Sequence, residues 1–329
     1  MKAIKLSKNG DIKYCEVPDP KLKKGFAKIK VVSTGLCGSD IQKILSDHQS
    51  RKSLKTEILG HEFSGVIENI VSNSVFKRGD RVAVVPIIFD KTFSIINSVS
   101  LGKEFPGGFA QYCLVPIKNL RKIPQNISFD LAALADVVAV SLHGYNLSGK
   151  PKNKKTLIIG DGTIALSMAI LLKTKKNEVF LLGKNNKNLH IATKFGIKSL
   201  TNLKKSDFFD FVFECVGRSQ NNTLETSINA IKPRGMIVVL GVFEKDYKNM
   251  LCLRNLFFKE ATIVGSNSYE VNFTKDDFSE ALKFISENKE KFSKLITHIL
   301  PLKDFKKAMS LIKNREEAGA IKIMFHPQK

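Results

Sequence analysis

Cys37, followed 24 positions later by the adjacent pair His61 and Glu62, puts a thiol, an imidazole and a carboxylate into two glycine-rich strings. These are Gly35-Leu36-Cys37-Gly38-Ser39-Asp40 and Gly60-His61-Glu62-Phe63-Ser64-Gly65. Structural zinc usually closes its shell with four Cys or His ligands, whereas a catalytic zinc keeps one position for water or substrate. One thiolate, one imidazole and one or two carboxylates fit the second kind. Cys37 alone reads as a small buried apolar residue, and His61 and Glu62 alone as ordinary polar side chains. Together, in tight turns, they argue for a metal. Asp136 is a second candidate carboxylate, because an acid inside the apolar run from Ala135 to His143 needs a partner such as a metal. Either Glu62 or Asp136 would ligate, directly or through water. Ser39, two residues past the thiol, offers a hydroxyl to bridge substrate oxygen and solvent.

Further along, Gly160-Asp161-Gly162-Thr163-Ile164-Ala165 follows a short apolar strand and opens a helix. In that context a Gly-x-Gly-x-x-Ala string reads as a dinucleotide loop. Gly160 permits the tight turn, Gly162 lets backbone approach a pyrophosphate, and the helix start at Thr163 and Ile164 supplies N–H groups. The second strand ends in Leu182-Gly183-Lys184-Asn185, with no acid to hold both ribose hydroxyls. Gly183 leaves room for a 2′-phosphate and Lys184 can pair with it, so NADP(H) is expected over NAD(H). Zinc together with a nicotinamide would oxidise an alcohol or reduce a carbonyl.

Two kinds of scaffold must position these groups. Up to about residue 145 the chain alternates like half-buried strands, over Ala27 to Ser33, Phe63 to Val71, Arg81 to Pro86 and Phe109 to Val115. A helix is expected from Ser39 to Leu45. After Lys154 short apolar strands (Thr156 to Ile159, Glu178 to Leu182, Phe211 to Cys215, Met236 to Leu240, Thr262 to Val264) alternate with helical segments such as Asn188 to Phe195. That alternation predicts a parallel, doubly wound α/β sheet. An amphipathic helix over Asp276 to Glu287 and a short α/β tail return to the first domain.

A chain of 329 residues exceeds one compact core, so two domains are expected. The net charge of +22 comes from dispersed lysine clusters without interleaved aromatics, which is a solvated surface and not a nucleic-acid face. No stretch approaches a membrane span, and no signal peptide is evident. Five scattered cysteines suit the reducing cytoplasm. Cys15, Cys113, Cys215 and Cys252 are not expected to be ligands, and His143 and His298 are expected to make structural hydrogen bonds.

The two metal strings resemble the zinc-containing medium-chain dehydrogenase/reductase superfamily. The family pattern is echoed by Lys77-Arg78-Gly79-Asp80-Arg81-Val82, Gly107-Gly108-Phe109-Ala110-Gln111-Tyr112, Phe213-Glu214-Cys215-Val216-Gly217 and Leu295-Ile296-Thr297-His298. The likeness covers nearly the whole chain and is greatest to the polyol branch, the sorbitol and galactitol-1-phosphate dehydrogenases. It implies a GroES-like catalytic domain over 1–146, completed by 270–329, a Rossmann domain over 147–269, and a homodimer or homotetramer. In that branch an acid at the position of Asp136 is often the third ligand, and the Glu after the ligand His also coordinates. Gly160-Asp161-Gly162 with Leu182-Gly183-Lys184 resembles the NADPH-dependent ribulose-5-phosphate reductases, which points to NADP(H) and a phosphorylated polyol or ketose.

Three departures matter. Val85 to Pro106 holds no cysteine for the second, structural zinc of many relatives, so a single metal is expected. Asp136 stands where Glu is usual and is one methylene shorter. Gln42 occupies the place of a relay histidine, leaving Ser39 and water for the proton. Alternatives are a zinc alcohol or L-threonine dehydrogenase with another substrate, and a catalytically silent nucleotide-binding homologue.

Overall fold

Alternation decides the first sheet. Within Phe26–Gly35 the side chains of Ala27, Ile29, Val31 and Ser33 are buried at every second position, as a strand with one face on a core requires. The structure, a computed structural model, describes all residues except 47–50, 52–53, 72–74, 90–97, 205–207, 219, 221, 245–247, 249–250 and 252. It divides into two units, Met1–Asp136 with Phe278–Lys329, and Val137–Asp277.

In chain order the first unit holds β1 (Lys2–Leu6), β2 (Ile12–Glu16), β3 (Phe26–Gly35), α1 (Gly38–Leu45), β4 (Glu62–Ile70) and β5 (Arg81–Val84). These are followed by β6 (Ile87–Ile88), β7 (Val99–Ser100), β8 (Tyr112–Pro116), β9 (Leu120–Lys122) and α2 (Phe129–Ala133). The second unit holds α3 (Ala135–Leu147), β10 (Lys155–Ile159), α4 (Thr163–Thr174), β11 (Glu178–Leu182), α5 (Asn186–Thr193) and β12 (Lys198–Leu200). It continues with β13 (Phe209–Glu214), α6 (Asn222–Ala230), β14 (Ile231–Val239), α7 (Leu253–Lys259) and β15 (Thr262–Gly265). The chain then returns to the first unit with α8 (Asp277–Glu287), α9 (Lys289–Ser293), β16 (Ile296–Pro301), α10 (Phe305–Lys313), α11 (Arg315–Ala318) and β17 (Lys322–His326).

The first unit is built on a sheet of order β16-β17-β3-β4-β5-β9, with β8 also paired to β3. All of its pairings are antiparallel except β16 with β17. Phe109, Phe305 and Phe325 pack as an aromatic cluster, the last two stacked with centroids 5.1 Å apart. The second unit is a wholly parallel sheet of order β12-β11-β10-β13-β14-β15. That order places β10 and its following loop at the reversal point where doubly wound sheets bind ligands. Among the described residues no helix is long and apolar enough to cross a membrane.

Three details depart from the sequence expectations. The units part at 136 and 277, not at 146 and 269, because α3 and Asp277 pack with the second unit. Gly144 lies against Leu240 and Met168, and Asp277 accepts hydrogen bonds from Asn146 Nδ2 and the Glu270 N–H. Strand β8 starts at Tyr112 and not at Phe109; the N–H groups of Gly107, Gly108 and Phe109 donate to the carbonyls of Ile58, Gly60 and Leu59. Helix α5 starts two residues earlier than expected, because Asn185 caps it through the Lys187 and Asn188 N–H groups.

Candidate active site

Three neighbouring strands bring the metal residues together. In the β3–β4 ladder Gly35 is opposite Glu62, and in the β17–β3 ladder Met324 is opposite Gly35. Cys37 lies two residues past the end of β3 and is the N-cap of α1, the positive end of a helix, where a thiolate is favoured. His61 immediately precedes β4. One ligand atom from each of Cys37, His61 and Glu62 lies within 4.8 Å of the others, and among the described residues this is the one such group. Zinc holds sulfur at about 2.3 Å and nitrogen or oxygen at about 2.0–2.2 Å, so the spacing is close to what one ion demands.

Glu62 provides an independent test of fit. Its side chain is buried, and Oε1 has no hydrogen-bond partner among the described residues. A bare carboxylate oxygen in the interior is costly unless a cation or donor reaches it, and here it stands beside a thiol and an imidazole. The residues therefore fit a zinc ion.

Residues that sequence reasoning missed hold this set in place. Asp40 is fully buried; its Oδ2 accepts from the Cys37 N–H at 3.2 Å, and its Oδ1 is 3.3 Å from His61 Nδ1. This contact leaves Nε2 for a metal, the usual outer support of a ligand histidine. Burial would raise Asp40, but the His61 and Lys43 charges hold its carboxyl below the usual range. Lys322 is 2 % exposed; its ammonium pairs with Glu62 Oε2 and donates to the Leu36 carbonyl at 3.4 Å. Burial would lower Lys322, but the charges of Glu62, Cys37 and Asp136 outweigh it and keep the ammonium charged. Asp40 was legible as the acid three residues after a helix N-cap. Lys322, at the far end of the chain, carried no local signal.

Asp136 is half-buried and is not a member of the compact set, though its charge is felt at Lys322. Ser39 is exposed, and its hydroxyl donates to Cys37 Sγ at 3.5 Å. His143 pairs with Asp277 at 2.9 Å and His298 with Thr297 at 3.0 Å. Cys113 is buried, and burial pushes its thiol up to about 12. Cys252 lies outside the described residues.

His61 sets a pH dependence. Burial would lower it, but Asp40 and Cys37 raise it well above its ordinary value, so the metal-free imidazole holds its proton to higher pH than a free histidine does. The pairing stabilises the metal-free fold fully below the unfolded histidine value of about 6.5, and that contribution is lost as pH rises through the raised folded value. Zinc requires the neutral ring, so zinc affinity runs the opposite way, rising about tenfold per pH unit until His61 deprotonates. Competition with a chromophoric chelator from pH 6 to 9 should show this rise, and a flat profile would contradict it.

Gly35 supplies space. A Cβ there would fall on Glu62 Oε2. Gly35→Ala is therefore expected to displace the carboxylate and weaken zinc binding about 10–100-fold, the usual cost of disturbing a ligand's support. The same chelator competition checks this.

The nucleotide loop stands in the second unit. Gly160 has φ of +118°, a conformation open to glycine, and its N–H donates to the Leu182 carbonyl at 2.8 Å. Gly162 is the extended N-cap of α4 and makes no side-chain cap. Thr163 and Ile164 therefore open a helix end suited to a pyrophosphate, and these residues fit a dinucleotide. Gly183, Lys184 and Asn185 follow β11 at the same end of the sheet.

Comparisons with known proteins agree with both units. Residues 23–125 match the alcohol dehydrogenase GroES-like domain, and residues 162–287 match the zinc-binding dehydrogenase domain. Galactitol 1-phosphate 5-dehydrogenase of Escherichia coli K12 is 26% identical over 98% of this chain and 99% of its own. L-threonine 3-dehydrogenase of Bacillus subtilis is 26% identical over 91% of each. The crystal structure of galactitol-1-phosphate dehydrogenase from Escherichia coli superposes with a TM-score of 0.88 at 24% identity, covering 99% of this chain and 100% of that one. With both halves matched and relatives aligned end to end, the chain belongs to the zinc-binding medium-chain dehydrogenase/reductase family, an oxidoreductase with a GroES-like and a Rossmann domain.

Proposed function

We propose that the protein transfers a hydride between NADP(H) and a secondary alcohol or ketone of a polyol, a sugar or their phosphates. The observation that carries this reading is the buried Glu62 Oε1, without a hydrogen-bond partner among the described residues, beside Cys37 and His61. When bound, zinc would supply Lewis acidity toward an alcohol oxygen, and the nicotinamide would supply the hydride acceptor. Cys37, His61 and Glu62 would hold the ion, while Asp136 would act through water. Asp40 fixes the His61 ring, and Lys322 balances the carboxylate charge. Ser39, exposed beside Cys37, passes the substrate hydroxyl proton toward solvent.

Gly183 and Lys184 support NADP(H) over NAD(H), as a lysine pairs with a 2′-phosphate where an acid would repel it. The polyol phosphate reading is supported by full-length similarity to galactitol 1-phosphate 5-dehydrogenase. A second reading, oxidation of L-threonine, is favoured by the similarity to L-threonine 3-dehydrogenase. One zinc per chain, a cytoplasmic location and a homodimer or homotetramer complete the proposal. Edge strand β15 and the exposed Leu253, Phe257 and Phe258 of α7 support self-association.

An NADPH- and NADH-linked screen of polyols, ketoses, their phosphates and L-threonine tests the reading on zinc-replete protein. Turnover of a phosphorylated polyol or ketose with NADP(H) is expected. Turnover confined to L-threonine would establish the second reading. No turnover from zinc-loaded protein would leave a silent nucleotide-binding homologue.

A further inference from the structure

Asp161 is an acid to which the reaction gives no role, and the structure places it at the point where cofactors are told apart. Its Oδ2 accepts hydrogen bonds from the Lys184 N–H at 2.7 Å and the Asn185 N–H at 2.8 Å. Its carbonyl accepts from Asn188 Nδ2 at 2.8 Å, and Asn188 is fully buried. The Gly183 N–H donates to the Leu200 carbonyl. Every backbone donor from 183 to 185 is thus taken within the protein. A Cβ at position 183 would lie 2.7 Å from both the Cβ and the Oδ2 of Asp161. Real Cβ contacts do not come so close, so the carboxylate and a side chain at 183 exclude one another.

We propose that Asp161 is the positioning residue for cofactor choice. It pins the turn that carries Lys184, and it fills the volume in which an acid at position 183 would have to sit. The proposal rests on the NADP(H) reading above. An acid at the end of the second strand selects NAD(H) by accepting from the ribose hydroxyls. Asp161 forecloses that solution from the neighbouring loop. Two N–H groups meet its own charge, and the exposed Lys184 is left as the group offered to a 2′-phosphate.

The test uses full-length wild type, Asp161→Asn, Asp161→Ala, Gly183→Asp and the Asp161→Gly/Gly183→Asp double variant, in which glycine also removes the Cβ that position 183 would strike. Two readouts are followed: amide exchange of the peptide spanning 183–186, and binding of 2′,5′-ADP against 5′-AMP. Asp161→Ala should speed exchange and weaken 2′,5′-ADP binding at least roughly tenfold, the scale of lost hydrogen bonds to a charged acceptor, with 5′-AMP much less affected. Asp161→Asn keeps an acceptor oxygen and should hold both properties near wild type. Gly183→Asp alone should weaken both nucleotides. The double variant should recover 5′-AMP binding and lose the preference for 2′,5′-ADP.

Unchanged exchange and an unchanged nucleotide ratio in Asp161→Ala would overturn the proposal. Selective loss of 5′-AMP in that variant would also overturn it, making Asp161 a direct ribose ligand. A wild type without preference for 2′,5′-ADP would overturn the NADP(H) reading and the cofactor role with it. The exchange data then still decide separately whether Asp161 holds the turn.

Discussion

Cys37→Ser is expected to remove zinc and turnover together while leaving nucleotide binding intact. Cys37 is the thiol of the compact set, and its partners His61 and Glu62 cannot replace a thiolate. Disturbing a mere support of a ligand costs about 10–100-fold in metal affinity or activity, and losing the thiolate itself should exceed about 100-fold. A hydroxyl in its place is a far weaker ligand for a borderline-soft ion. The nucleotide loop belongs to the other unit, so its affinity for 2′,5′-ADP should stay within about twofold of wild type if the effect is confined to the metal site. Cys15→Ser, on a strand away from the set, is the control and should keep its zinc. Full activity in Cys37→Ser would end the mechanism proposed here.

Lys322→Met should produce the largest loss of stability of any single change at the site. Lys322 and Glu62 form an ion pair with both side chains essentially sealed from solvent. Removing one partner of such a pair leaves an uncompensated charge and costs about 3–5 kcal/mol, far more than the net worth of the pair itself. Methionine roughly preserves the volume of the lysine stem, so the loss reports charge and not a cavity. The measurement is urea unfolding of metal-free protein. Zinc offers Glu62 a second cation, so zinc should stabilise Lys322→Met more than it stabilises wild type. The double change Lys322→Met/Glu62→Gln removes both charges and should be more stable than Lys322→Met alone. A loss below about 1 kcal/mol for Lys322→Met, the scale of a surface pair, would contradict the buried geometry.

How much was legible in the sequence depended on distance along the chain. Cys37, the His61-Glu62 pair and the Gly160-x-Gly162 loop were readable because their chemistry is encoded in residue type over short spacings. The parallel sheet was readable because strands buried on both faces form short apolar runs between helices. Lys322 was invisible because its partner lies 260 positions away, and only the β17–β3–β4 register brings the two together. The Asp161–Gly183 relation was half visible: the missing acid at 183 could be read, but the carboxylate that fills its place arrives from another loop. Asp136 shows the opposite failing. An acid in an apolar run signals a partner, yet it does not say which partner, and the compact metal set forms without it. Gly107 and Gly108 precede β8, and what the sequence did not show is that the backbone there comes close enough to bond the loop carrying His61; a Cβ at 107 would strike the Gly60 and Leu59 carbonyls.

The proposed function depends on Cys37, His61 and Glu62 holding one open-shelled zinc, and X-ray absorption at the zinc edge of the purified, zinc-replete protein reads that shell. A single sulfur at about 2.3 Å, with nitrogen and oxygen ligands at about 2.0–2.2 Å, is expected. Two or more sulfurs, or a shell without sulfur, would contradict it.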